Sequence, residues 1–287
     1  MWAYRKLTQG IVHWLIKKQS REGIYLCDFE ALRHEVRLGD VLLIEGTSRV
    51  SKVIRHLTLS PWSHAALYIG RIYDIESPEI RQIIKNHLDI SDTTQLIVEG
   101  MLGKGIIVSK LSDYAKEHIR ICRPKGISHH DAQAVVNHAV NALGKKYDVR
   151  HIFDLARWLF PWSLFPRRWG SSLFKSTKET KKEICSSLIA EAFEKVNFPV
   201  LPMISPVDKN NKNKEGEKNN QITFSHRNPK LYVPSDFDYS PYFEIIKYPM
   251  INIAHAPLYR TLPWEVEAQD QEGREGDGNG NSNNESK

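Results

Sequence analysis

Cys185 is followed by Leu188, Ile189, Ala192 and Phe193, apolar residues three, four, seven and eight positions further on. That spacing predicts a helix with one face turned toward a core, and it puts Cys185 in the first turn. At this end of a helix, unpaired backbone N–H groups and the positive pole of the macrodipole favour a thiolate over a thiol. The thiolate is the nucleophilic form. The plainer alternative is a small apolar residue closing the inner face of the helix, because buried free cysteine is common.

The rest of the chain offers strands for such a helix to pack on. Gly39-Asp40-Val41-Leu42-Leu43-Ile44-Glu45-Gly46 reads as a buried strand between turn signals. Residues 48–57 read as a helix with an inner stripe of Val50, Val53, Ile54 and Leu57, stopped by Pro61. Ser63-His64-Ala65-Ala66-Leu67-Tyr68-Ile69-Gly70 is a strand with His64, Ala66 and Tyr68 on one face and Ala65, Leu67 and Ile69 on the other. Residues 95–100 and 105–109 form an antiparallel pair across a short connection. Residues 119–123 add a strand ended by Pro124, where Cys122 reads as packing.

Helices are expected at 79–88, 128–143 and 151–160, the second starting at Ser128 and stopping at Gly144, with His129 and His130 facing solvent. Asp28 caps a short helix through Arg33, residues 113–118 form a helical turn, and residues 198–202 are an extended exit from the Cys185 helix. Ordered structure returns at 232–237 and at 243–247, the latter an edge strand. Short-range antiparallel pairing beside separate helices points to the α+β class.

Composition bounds the reading. A chain of 287 residues, 41% hydrophobic and 26% charged, suits one elaborated domain at about residues 36–266. Residues 1–35 form an N-terminal amphipathic region, 208–221 a polar flexible insertion, and 267–287 a disordered acidic tail. From Glu265 onward there are seven acids and two bases, so a net charge of +6 overall becomes +11 for residues 1–264. That excess points to an anionic partner or surface.

Leu7, Ile11, Trp14 and Leu15 at helical spacing, flanked by Arg5, Lys6, Lys17 and Lys18, suit either a membrane-surface helix or one packed on its own domain. The aromatic segment 157–169 has the same two readings, a lipid headgroup interface or a loop folded over the core. No run of 18 apolar residues occurs, and the N-terminus is too short and polar for a secretory apolar region. The expectation is a cytoplasmic protein, peripheral on the inner membrane if these segments bind lipid. Three cysteines without metal-type spacing indicate neither a disulfide framework nor a metal site.

A cysteine hydrolase needs a thiolate at a helix N-terminus, an imidazole within hydrogen-bond reach, and a polar group that fixes the ring's tautomer. Cys185, His64 at the head of one strand, and Glu99 at the end of another could supply them, with a backbone N–H at or beside Cys185 for the oxyanion. Glu99 as an exposed strand-end carboxylate is the competing reading.

The order of five motifs carries a resemblance. Gly39-Asp40-Val41-Leu42-Leu43, then Ser63 to Gly70, then Val98-Glu99-Gly100, then Gly144-Lys145-Lys146-Tyr147-Asp148, then Cys185-Ser186-Ser187-Leu188-Ile189 resembles the circularly permuted NlpC-type cysteine peptidases of the YiiX/YebB-like group, relatives of the lecithin:retinol acyltransferase family. The likeness spans about residues 36–200, and Val233-Pro234-Ser235-Asp236 with Ser240-Pro241 resembles that group's C-terminal strap.

It implies a permuted papain-like fold, an antiparallel sheet packed against the helix that carries the nucleophilic cysteine. It also implies Cys185 as nucleophile, His64 as general base and then acid, and Glu99 as the group orienting His64. The implied activity is a cysteine amidase, peptidase or acyl-ester hydrolase working through an acyl-enzyme, with no metal or organic cofactor. Its substrate is a small molecule, a peptide or a lipid-like acyl compound. A catalytically silent lipid- or peptide-binding module of the same fold is the alternative. Scattered basic residues and the lack of a recognised motif argue against nucleic acid.

Overall fold

Six strands form the sheet that positions the candidate site: β1 (Val41–Glu45), β2 (His64–Gly70), β3 (Leu96–Met101), β4 (Gly105–Lys110), β5 (His118–Pro124) and β8 (Phe243–Ile246). Their order across the sheet is β4-β3-β2-β1-β5-β8, antiparallel at every junction. A separate ribbon pairs β6 (Met203–Ser205) with β7 (Thr223–Ser225). The computed structural model describes residues 10, 13–19, 27–145, 185–205 and 223–248.

The sheet is covered on both faces, which is why β1 is a continuous apolar run. Ala65, Leu67 and Ile69 of β2 enter one core with Val41, Leu43 and Val98. Leu188, Ile189, Ala192 and Phe193 of helix α5 (Cys185–Glu194) belong to the same core. Ala66 and Tyr68 enter the opposite core with Leu42, Ile44, Ile97 and Leu32. The two-residue alternation expected for β2 is thus the division between the two layers.

Short polar side chains start the helices. Asp28 accepts a hydrogen bond from the Ala31 N–H at 3.0 Å and starts α1 (Phe29–Glu35). Ser48 caps α2 (Arg49–Thr58), and Ser77 followed by Pro78 starts α3 (Pro78–His87). Ser128 caps α4 (His129–Asn141) through the Asp131 N–H at 3.0 Å, and Gly144 follows it at φ +79°, a conformation that favours glycine. A short helix, α6 (Ser235–Tyr239), precedes β8.

Phe243 ties β8 into this layer. Its ring meets Phe193, Phe198 and Phe237 edge-on, with centroids 5.5, 5.4 and 5.6 Å away. Phe243→Leu is expected to lower unfolding free energy by about 1–2 kcal/mol, because the cluster cannot close fully around the smaller side chain. Denaturant titration of the two proteins measures that difference.

Three expectations need revision or extension. Residues 113–118 do not form one helical turn: a 3-10 turn spans Leu111–Tyr114, and His118 already belongs to β5 because it pairs with Glu45. The helix capped by Asp28 runs past Arg33 to Glu35. The stretch before the polar insertion ends in a strand, β6, and β7 follows the insertion.

At the N-terminus, the described part of the amphipathic region packs on the domain. Leu15 is buried beside Leu102, with Val50 partly covering both, and Lys18 bridges to Ser48. Trp14 remains 48% exposed, with the Arg49 guanidinium 4.5 Å from its ring centroid. The remainder of that region, the helix expected at 151–160, the aromatic segment 157–169, the insertion 208–221 and the tail 267–287 lie outside the described residues. Among the described residues no helix is long and apolar enough to cross a membrane.

Candidate active site

The sheet and α5 bring Cys185, His64 and Glu99 together. Cys185 is the first residue of α5 and is buried. His64 is the first residue of β2. Glu99 lies on β3 opposite Ala66, so it shares a face with His64 and sits diagonally from it. His64 Nε2 and Glu99 Oε2 are 2.5 Å apart. With Nε2 committed to the carboxylate, Nδ1 is left for the Cys185 side chain, which is hydrogen-bonded to the ring. The backbone N–H groups of Ala65 and Ser186 also donate to the sulfur.

Glu99 is 1% exposed, which removes the exposed-carboxylate reading. A buried carboxylate needs partners. Besides His64, the Tyr114 hydroxyl donates to the same Oε2 at 2.5 Å, and the Ser109 side chain adds a further hydrogen bond. Tyr114 also lies flat beside the imidazole, with ring centroids 6.2 Å apart and planes 24° apart. The histidine is therefore held by a hydrogen bond and by a ring face at once.

The electrostatics favour charge separation. Burial works against a charged His64, but the Cys185 thiolate, by charge and hydrogen bond, and the Glu99 carboxylate outweigh it and push the ring's pKa up to about 10. Burial likewise opposes the thiolate, yet the His64 charge and hydrogen bond, with the Ala65 and Ser186 N–H groups, hold Cys185 below the ordinary thiol range. Glu99 is lowered despite its burial, chiefly by His64. The other two cysteines behave oppositely: burial raises both Cys27 and Cys122.

This arrangement can attack a carbonyl through sulfur and deliver a proton from the ring. Tyr114 was not anticipated from the sequence, and neither was a polar layer on the neighbouring strands. In that layer Glu45 pairs with Arg55 at 2.5 Å and with His118 at 3.0 Å. Arg120 meets Asp238 at 2.7 Å, and Trp62 donates its indole N–H to the same carboxylate at 3.2 Å. Among the described residues no group of three or more His, Cys, Asp and Glu side chains is placed to hold a metal ion.

Residues 35–158 match the family described as "Permuted papain-like amidase enzyme, YaeF/YiiX, C92 family". The matched span contains His64 and Glu99 and ends before Cys185. A crystal structure described as metalloprotein yiiX from Escherichia coli O157:H7 is similar to this chain at 14% identity and a TM-score of 0.41, covering 74% of this chain and 97% of that one. No curated protein matches. Antiparallel strands in this order, the histidine strand ahead of the cysteine helix, and the family match agree: residues 35–158 are similar to the permuted papain-like amidases of the YaeF/YiiX, C92 family, and the chain is a cysteine hydrolase.

Proposed function

We propose that Cys185 is the nucleophile, His64 the general base and acid, and Glu99 the group that orients His64. The observation that carries this reading is the buried chain of contacts from Cys185 to the imidazole and from the imidazole to Glu99. The Cys185 thiolate adds to an amide or ester carbonyl, forming a carbon–sulfur bond and an oxyanion. The Ser186 N–H, in the first turn of α5, donates to the sulfur and stabilises negative charge at this end of the helix.

Collapse of the tetrahedral species breaks the bond to the amine or alcohol, which leaves with the proton from His64. The neutral ring then takes a proton from water as that water attacks the thioester, and the acid product departs as the thiolate returns. Incubation with an activated acyl ester, followed by mass spectrometry of the intact protein, is expected to show one acyl group attached at Cys185. Acylation of Cys27 or Cys122 instead contradicts the assignment.

The substrate we favour is an acylated or lipid-like compound met at an anionic membrane surface, with the protein peripheral on its cytoplasmic side. The charge of +11 over residues 1–264 supports this, as does the half-exposed Trp14 beside Arg49. Flotation with anionic liposomes at two salt concentrations tests it. Protein that stays at the bottom of the gradient at low salt rules the membrane reading out.

A further inference from the structure

The end of the sheet remote from Cys185 carries a cavity that the hydrolytic reaction does not use. Tyr68 lies four residues beyond His64 on β2, roughly 13 Å away at the usual strand rise. Beside it is an open cleft of about 480 Å³ whose lining includes Arg33, Arg37, Tyr68, Arg71, Asp74 and Gln95. Three segments converge there: the last turn of α1 with the loop after it, the ends of β2 and β3, and the 3-10 turn Ile72–Asp74.

The charges in this cleft are unequal. Three guanidinium groups face one carboxylate, and the Asp74 carboxylate is turned to its own backbone, with Oδ2 accepting the Arg71 N–H at 2.8 Å. Arg71 makes no ion pair among the described residues; its guanidinium lies 5.6 Å from the Tyr73 ring centroid. Arg33 pairs at 3.3 Å with Glu30, which is largely solvent-exposed. Arg37 pairs at 3.3 Å with Glu35, whose shorter contact, 2.5 Å, is to Arg123. Exposed pairs of this kind are weak and yield to a better anion. The Gln95 amide donates to the Tyr68 hydroxyl at 2.9 Å and to the Arg33 carbonyl at 2.8 Å, so the phenol's own proton is free to donate to a ligand.

We propose that this cleft binds a phosphate monoester. Its lining carries two more positive than negative fixed charges, which a phosphate dianion balances and a single carboxylate does not. Planar guanidinium groups and a phenol O–H suit tetrahedral oxygens. The volume exceeds what a bare oxyanion fills and accommodates an organic portion. This assignment stands independently of the Cys185 chemistry, since it shares no residue with that site.

Calorimetric titration of the full-length protein with glycerol 3-phosphate, and sedimentation with phosphatidylcholine vesicles with and without phosphatidate, distinguish a soluble monoester from a lipid headgroup. The expected result is saturable binding in at least one arm, weakened by added salt and reduced roughly tenfold or more by Arg71→Gln. Thiol labelling of Cys185 in the same variant reports an intact fold, and the more exposed Arg37→Gln provides a second, weaker loss. Binding of the soluble monoester assigns the site to a small molecule; binding of phosphatidate vesicles alone assigns it to a lipid headgroup. No binding in either arm at low salt, or Arg71→Gln and Arg37→Gln binding as tightly as the parent, overturns the proposal.

Discussion

Cys185→Ala is expected to lower turnover of an acyl amide or ester by about a thousandfold or more and to abolish labelling by a thiol-directed acyl probe. The replacement removes the only thiol held below its ordinary range, leaving Cys27 and Cys122, both buried and raised. The variant should stay folded. The apolar face of α5 that anchors it, Leu188, Ile189, Ala192 and Phe193, is untouched, and alanine fills most of the sulfur's space. Ligand binding is expected to survive while turnover does not. Unchanged biological effect in Cys185→Ala would support the silent binding module instead.

His64→Ala is the second large loss, about 10²- to 10⁴-fold in kcat, since it removes both the counter-charge of the thiolate and the proton donor to the leaving group. The pH profile carries the finer information. In the proposed mechanism the imidazolium protonates the leaving group, and its pKa is raised to about 10, so activity is expected to fall as pH rises through that value. Activity also falls as pH drops through the lowered Cys185 pKa, because the thiolate is lost.

Glu99→Gln keeps a hydrogen-bond partner for Nε2 but deletes a negative charge that favours the protonated ring. The alkaline limb of kcat/KM is therefore expected to move to lower pH, with activity reduced rather than abolished. An alkaline limb that does not move in Glu99→Gln would leave Glu99 a purely structural residue.

The same shifts set the sign of the pair's contribution to stability. The raised His64 pKa stabilises the fold fully below the ring's unfolded value of 6.5, and that stabilisation is lost as pH rises through about 10. The lowered Cys185 pKa stabilises the fold above the free thiol's 9.0 and is lost as pH falls through its folded value. Where the two titrations overlap, above 6.5 and below 9.0, their effects on stability have opposite signs.

The sheet and most helix starts were legible because they depend on local signals. Continuous apolar residues in β1, alternation in β2, Asp28 before α1 and Ser128 before α4 are each short-range consequences of burial or capping. His64 at the head of β2, Glu99 near the end of β3 and Cys185 at the start of α5 could likewise be singled out from strand position and helix periodicity. The burial of Glu99 could not. It depends on the turn at Leu111–Tyr114 bringing a phenol over the strand end, and nothing in the spacing of Tyr114 announces a partner 15 residues earlier.

Arg55 is a similar case. On a helical wheel it belongs to the polar face of α2, yet it reaches Glu45 in a half-buried pair. Trp62 reads as the residue after a helix-stopping proline and is in fact buried, with its N–H on Asp238 of a helix 176 residues away. Three-residue strands such as β6 and β7 are too short to show a period at all.

Cys185 is held below the ordinary thiol range by the charge and hydrogen bond of His64, whose protonated ring Glu99 in turn favours. The measurement that tests it most directly is the rate of alkylation by iodoacetamide as a function of pH, followed at each cysteine by peptide mass spectrometry in the parent protein and in His64→Ala. Cys185 is expected to alkylate far faster than Cys27 and Cys122, with an inflection below the ordinary thiol range that moves up in His64→Ala. A Cys185 inflection at or above the ordinary thiol value, unchanged by His64→Ala, would contradict it.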